Sequence, residues 1–344
     1  MNIVADMSWC RQGIFRTAIH DALTISVAIA LTAAPACGAQ VQWKLASAYP
    51  SGNFHTENLN VFAKEVAAAT GGNLSIKVFP NGSLFPAKMI MHAVRIGQAQ
   101  IGEALISLHE REDPIFGMDV IPFLATSYDE AHRLWAASRP PIERKFAAQG
   151  LMVLFAVPWP PQGLYSTKQI NSISDMQGLS WRVYNDATHR IAEIAGATPV
   201  TIQAAELRQV LATGLINAFM SSGSTGYDAK AWEFMNYYYD TQAWIPKNVT
   251  LVNKAAFDQL EIPVQQTLLR NAATAEERGW WASQDKNKWY VEQLAANGLK
   301  VLSPSDSLKA GLREIGQRLT AEWLAKAGAA GQSILDEYKV GFRR

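Results

Sequence analysis

The chain has 344 residues, 49% of them hydrophobic, with 31 Lys+Arg against 30 Asp+Glu and a net charge of +1. That length and apolar share support a large core divided between two lobes. The balanced charge excludes a nucleic-acid binder held by a strong basic field.

The first forty residues stand apart from the rest. Arg11 and Arg16 precede an apolar run from Ala22 to Ala36, and Cys37-Gly38-Ala39 supplies small residues before Gln40. A basic flank, a short apolar core and a small-residue exit describe a secretory signal peptide over 1–39. The run falls short of the roughly 20 residues that a bilayer-crossing helix needs. The alternative processing is a lipoprotein, with Ala-Pro-Ala before Cys37 as a weak acylation signal. Cys10 and Cys37 both lie in or beside this segment. The mature chain is therefore expected to lack a disulfide, a thiolate metal site and a cysteine nucleophile. No later segment is apolar enough for a membrane span, and the mature protein is expected to be soluble and periplasmic.

From Gln40 onward strands alternate with helices. Val41 to Ser47 reads as a strand. Phe54 to Thr70 reads as an amphipathic helix carrying Leu59, Phe62 and Val66 on one stripe and closed by Gly71-Gly72. Leu74 to Phe79 alternates like a half-buried strand, and Pro80-Asn81-Gly82 turns the chain. Pro86 opens a helix closed by Gly97, and Gln100 to Ile106 is a third strand. His109-Glu110-Arg111-Glu112-Asp113 is mixed in sign and reads as a solvated loop. Ser127 and Glu130 form a capping box.

The second half repeats this logic. Leu151 to Val157 is a buried strand running into the stiff segment Pro158-Trp159-Pro160-Pro161. Leu179 to Tyr184 is a strand, Asn185 caps a helix ending at Gly196, and Leu215 to Met220 is an apolar strand. A long helix follows Pro263 and runs to about Asn297. Strands separated by helices predict the α/β class, with mostly parallel sheets covered on both faces.

The familiar catalytic signatures are missing. Ser222-Gly223-Ser224-Thr225-Gly226 has neither phosphate-loop spacing nor the leading glycine of a nucleophile elbow, and reads as a helix-start turn. His20, His55, His92, His109, His132 and His189 are scattered singly, outside any zinc-hydrolase array. No cofactor or metal is expected, and an enzyme on a two-lobed scaffold is a minor alternative.

Several stretches, in order, resemble the substrate-binding proteins of tripartite ATP-independent (TRAP) transporters, the DctP-type family. They are Phe62-Ala63-Lys64-Glu65-Val66 with Thr70-Gly71-Gly72-Asn73-Leu74, then Val78 to Leu84, then Ile121-Pro122-Phe123-Leu124 with Ser127 to Ala131. The most specific is Ile170 to Arg182, similar to the family element whose final arginine holds the ligand carboxylate. Gly196 to Val200, Glu206 and Leu211 to Ala218 match the stretch that follows.

The resemblance implies two α/β lobes, a periplasmic binding-protein fold with hinge strands and a long helix spanning both lobes. Lobe I is expected over 40–160 plus 249–287, and lobe II over 161–248 plus 288–344. The ligand would sit in the cleft, and the closed receptor would dock on a membrane permease for sodium-coupled uptake. Arg182 becomes the expected carboxylate clamp. A guanidinium grips a carboxylate with two parallel bonds, and on an apolar strand its charge is costly unless it meets an anion.

Departures from the family narrow the ligand. Gln162 stands where some relatives carry a second carboxylate-binding arginine, Ser221 where they carry an asparagine, Ala204 where some carry an aromatic, and Leu105 where they carry an acid. Asn217 replaces an aspartate. One arginine implies one carboxylate. The expected ligand is a monocarboxylate with an apolar or aromatic body, an aromatic or branched 2-oxo or 2-hydroxy acid. Ser221 and Ser222 would meet its oxo or hydroxyl oxygen. Trp159, Trp181, Tyr184, Phe219 and Trp244 lie near the pocket segments as stacking candidates, Trp159 and Trp244 first. A C4-dicarboxylate receptor and a sensory binding protein are the alternatives.

Overall fold

The computed structural model describes residues 40–340. The signal-peptide reading, with Cys10 and Cys37, lies outside the described residues.

The chain opens with β1 (Val41–Ala46), α1 (Phe54–Ala69), β2 (Leu74–Phe79), α2 (Ala87–Arg95) and β3 (Ile101–Leu105). Asn53 caps α1 by accepting from the His55 amide, and Gly71 and Gly72 end it at φ +59° and +83°, a backbone that glycine adopts without strain. Two 3-10 turns, 106–109 and 114–120, lead to α3 (Tyr128–Ala147), which begins on the Ser127/Glu130 capping box. Next come β4 (Leu151–Pro158), β5 (Gln162–Ser166), β6 (Ser180–Val183), α4 (Asp186–Ile194), β7 (Thr198–Thr201), α5 (Leu207–Thr213), β8 (Ala218–Ser222) and α6 (Gly223–Asp228). β9 (Tyr237–Tyr239), β10 (Lys247–Asn253), α7 (Lys254–Asp258), α8 (Ile262–Ala296), β11 (Lys300–Leu302) and α9 (Asp306–Val340) complete the described chain.

Two sheets form, in the orders β2-β1-β3-β10-β4 and β11-β9-β5-β8-β6-β7. They are mixed rather than mostly parallel: five of the nine pairings are parallel and four antiparallel. The antiparallel pairs all involve β5 or β10, the strands that enter a sheet directly from the other one. The segments that cross between the sheets bond to each other. The Trp159 amide donates to Pro246 O at 2.8 Å, Gln162 N to Trp244 O at 2.9 Å, and Ala243 N to Gln162 O at 2.9 Å.

The core of the first sheet lies under α1 and α8, around Leu45, Phe62, Val66, Phe155 and Leu268, all buried. Removing each such side chain from water contributes about 1.5–3 kcal/mol. The second sheet has its own cluster around Tyr165, Leu207, Leu211, Phe219 and Tyr238. α8 spans 35 residues, about 50 Å of helix. It is tied to the first sheet's side by Asn58 Nδ2 donating to Ala275 O at 2.9 Å and Trp280 Nε1 to Ala156 O at 3.0 Å. Its far end packs on α6 and β11. No helix among the described residues is long and apolar enough to cross a membrane.

Two local expectations need correction. The strand expected from Leu215 starts at Ala218, because Gly214 at φ +69° closes α5 and leaves Leu215 53% exposed. The charged run at 109–113 is not wholly solvated. The two 3-10 turns fold against each other and bury His109, whose ring bonds Glu112 Oε1 at 3.0 Å.

Candidate functional site

Arg182 is delivered by a rigid turn. Asp175 Oδ2 accepts from the Asn171 and Ser172 amides at 2.8 and 2.9 Å, and Gly178, at φ +73°, reverses the chain into β6. On β6, Trp181 and Arg182 point to opposite faces. Trp181 enters the hydrophobic core, while Arg182 faces a cavity between the two sheets.

This cavity takes in about 470 Å³ of space not filled by atoms, part of it open to solvent. Its walls come from the C-terminal ends of β1, β3, β6, β7 and β8 and from the crossing segments at Trp159, Gln162 and Pro246. Ligands of open α/β sheets bind in that crevice, beyond the carboxyl ends of the strands.

Arg182 is 3% exposed, yet no carboxylate among the described residues lies within ion-pair distance of it. Its Nε donates to Ile202 O at 3.0 Å, and its guanidinium carbon stands 4.8 Å from the Tyr184 ring centre. Nη1 is buried with no hydrogen-bond partner among the described residues. Burial pulls the Arg182 pKa down to about 10, and the hydroxyls of Tyr184 and Tyr49 and the Glu206 carboxylate only partly offset it. The neighbouring Tyr184 phenol is pushed up to about 12, again by burial. A desolvated cation without a counter-charge is costly, and an anion entering the cavity would relieve that cost.

Of the nine site candidates singled out in the sequence, Trp159, Gln162, Arg182, Tyr184 and Ser221 line this cavity together, and Trp181 lies in the core instead. Phe219, Ser222 and Trp244 do not line it either. Phe219 turns into the second sheet's core and stacks on Tyr165 with ring centres 4.4 Å apart. Ser222 caps α6 by accepting from Thr225 N at 3.1 Å. Trp244 is fully buried behind Tyr184, its indole N–H near the tyrosine hydroxyl but outside hydrogen-bonding geometry. Leu105 and Ala204, read as less polar and smaller than their counterparts in relatives, both contribute to the wall.

Sequence reasoning missed Tyr49 and Gln203, which also line the cavity. It missed Asn248 too, whose Oδ1 accepts from Trp159 Nε1 at 2.9 Å and Tyr49 Oη at 3.3 Å and so orients both rings. For Tyr49 a signal was available, since it follows β1 where a strand-end crevice must form, whereas the strand before Gln203 was not read from the sequence. An acid does remain on the third strand. Glu103 is buried behind the wall, accepting from Ser47 Oγ at 2.8 Å and standing 3.1 Å from His55 Nδ1.

Polar contacts bridge the cleft on either side of the cavity. On one side Asn53 Nδ2 donates to Asp228 Oδ2 at 2.6 Å. On the other Asn185 Nδ2 donates to Ser107 Oγ at 3.0 Å, and Arg111 Nε pairs with Asp186 Oδ2 at 3.1 Å.

With this geometry in place, comparison with known proteins becomes informative. Residues 45–327 match the model of the bacterial extracellular solute-binding protein family 7. The crystal structure of DctP6 from Bordetella pertussis, an extracytoplasmic solute receptor binding pyroglutamic acid, is 50% identical. It covers 87% of this chain and 99% of its own with a TM-score of 0.86. A marine-metagenome TRAP solute-binding protein, specific for pyroglutamate and in complex with the co-purified ligand, is 43% identical, with the same coverages and a TM-score of 0.86. The 2,3-diketo-L-gulonate-binding periplasmic protein YiaO of Escherichia coli is 24% identical over 263 residues, 73% of this chain and 79% of that one.

Proposed function

The chain belongs to the bacterial extracellular solute-binding proteins of family 7, the TRAP-type receptors, and from that premise we propose that it captures a compact, ring-bearing monocarboxylate, pyroglutamate foremost, and delivers it to a sodium-coupled membrane permease. The observation that carries this reading is Arg182, a buried cation facing the cavity with no anionic partner among the described residues. Among the described residues it is also the one charged side chain in the cavity wall. One guanidinium fork serves one carboxylate, and Gln162 cannot neutralise a second.

The rest of the wall favours a flat or ring-shaped body. Tyr49, Trp159 and Tyr184 offer aromatic surface, and Leu105, Leu108 and Pro246 offer apolar contact. The two structurally similar receptors at 50% and 43% identity are described as binding pyroglutamate, which has this shape and charge. Closure would act between lobes at 40–160 plus 249–287 and 161–248 plus 288–344, with the crossing segments as hinge. Export by residues 1–39 would place the receptor in the periplasm.

Calorimetric titration of the mature chain with pyroglutamate, phenylglyoxylate, a branched 2-oxo acid, succinate and sialic acid tests the reading. Pyroglutamate should bind tightest, with the 2-oxo acids next. Tighter binding of succinate, or of the bulkier sialic acid, than of pyroglutamate and both 2-oxo acids would overturn it.

A further inference from the structure

Arg182 can offer only part of its fork to a ligand. Its Nε is committed to Ile202 O at 3.0 Å, which leaves Nη1 and Nη2, the end that grips both oxygens of one carboxylate. The cavity holds a second donor in the same condition. Gln203, the residue after Ile202, lines the cavity, and its Nε2 is buried with no partner among the described residues. The Gln203 backbone is pinned on both sides: its N–H donates to Glu206 Oε2 at 3.0 Å, and its carbonyl accepts from Glu206 N at 3.2 Å. The side chain therefore springs from a fixed backbone position at the wall rather than from a free loop. Gln162 differs, because one of its two Nε2 hydrogens is already committed to Pro160 O at 2.7 Å.

We infer that Gln203 determines specificity by donating its Nε2–H to a second ligand oxygen, a carbonyl separate from the carboxylate that Arg182 holds. The inference rests on the organic-acid reading above and narrows it to oxo-substituted monocarboxylates, cyclic amides and oxo acids, over unsubstituted ones. A buried amide donor left without an acceptor is costly, so an acid lacking that carbonyl is discriminated against even when its ring and carboxylate fit. The rival arrangement has Gln203 as a third donor on the carboxylate itself, which has lone pairs to spare.

A two-ligand comparison separates the two arrangements. Pyroglutamate and cyclopentanecarboxylate share a five-membered ring and a carboxylate, and only the first has the ring amide. Both are titrated against the wild-type chain, Gln203→Met and Gln203→Glu, with the ligand-free thermal midpoint checking that each variant folds. We expect Gln203→Met to weaken pyroglutamate on the order of tenfold or more and to leave cyclopentanecarboxylate within about threefold. Gln203→Glu, an acceptor of the same shape, should weaken pyroglutamate further. Equal losses for both acids would show that the donor serves the carboxylate and would overturn the inference. Unchanged pyroglutamate binding in both variants would overturn it too while leaving the ligand reading intact. A wild-type chain that binds neither acid refutes the ligand reading, and this inference with it.

Discussion

Replacing Arg182 with Met separates what the guanidinium does for the fold from what it does for the ligand. Burial lowers its pKa to about 10. At 1.36 kcal/mol per tenfold, burial disfavours the charged form by about 3 kcal/mol relative to a solvated arginine. Within the protein that cost is offset by the bond to Ile202 O at 3.0 Å and by the ring of Tyr184 at 4.8 Å, together about 1–3 kcal/mol. The ligand-free variant should therefore match wild type or exceed it by up to about 2 kcal/mol, a midpoint raised by a few degrees at most. Binding behaves differently. A carboxylate brought into the cavity would lose its partner, which costs about 2–5 kcal/mol, roughly 30- to several-thousand-fold in affinity. Differential scanning fluorimetry reads both effects. At a ligand concentration of about one hundred times the wild-type Kd, wild type gains about 2.7 kcal/mol and a raised midpoint, and the variant gains at most about 0.9 kcal/mol. A variant within threefold of wild-type affinity by calorimetry refutes the clamp. A ligand-free midpoint lowered by more than about 10 °C would assign Arg182 to structure instead.

Two further outcomes follow from contacts around the cleft. Burial lifts the Asp228 carboxyl to about 6, while the Asn53 amide donating to it and the nearby Glu57 act in opposite senses. Because the folded pKa lies above the unfolded value of about 3.9, the native state binds the extra proton between about pH 4 and 6. This group's contribution is most favourable below that window and is lost as pH rises through it. Asp228→Asn should match wild type near pH 4 and gain thermal stability over it towards pH 7, and a constant difference across that range would count against the reasoning. At Gly226, an added Cβ would run into the buried Tyr165 ring, whose hydroxyl donates to Ser222 O at 2.9 Å. Gly226→Ala should cost about 1–3 kcal/mol by overpacking, and an unchanged unfolding midpoint would contradict that.

How far the fold could be read from the sequence depended on how local its cause was. α1 was legible because one stripe of Leu59, Phe62 and Val66 and a terminal Gly71-Gly72 act within a few turns. The Ser127/Glu130 box likewise marked the start of α3 without tertiary help. β5, β9 and β10 were not legible, since their pairing partners come from distant parts of the chain. β10 fits between β3 and β4 only because the chain crosses back from the second sheet, and that crossing made the sheets mixed. α9 was missed as well. It packs on both α3 and α4, so its apolar positions follow two surfaces rather than one stripe.

The site divides along the same line. Arg182 was found through the family resemblance of Ile170 to Arg182, and that element could be recognised because it is a local turn in which the Asp175 carboxylate gathers two amides and Gly178 takes a backbone that favours glycine. Which aromatic would face the cavity could not be read, because Trp159 and Trp244 both sit in crossing segments where strand alternation does not apply. Their separation is settled by packing, with Trp159 held at the wall by Asn248 and Trp244 buried behind Tyr184. Tyr49 and Gln203 lie just past strand ends, with no periodicity to mark them. What unites them with Leu105, Tyr184 and Ser221 is that each stands at or just beyond the C-terminal end of a strand that runs parallel to a neighbour in its sheet. Topology therefore selects the cavity wall, and sequence chemistry decides only which of the selected positions carries charge.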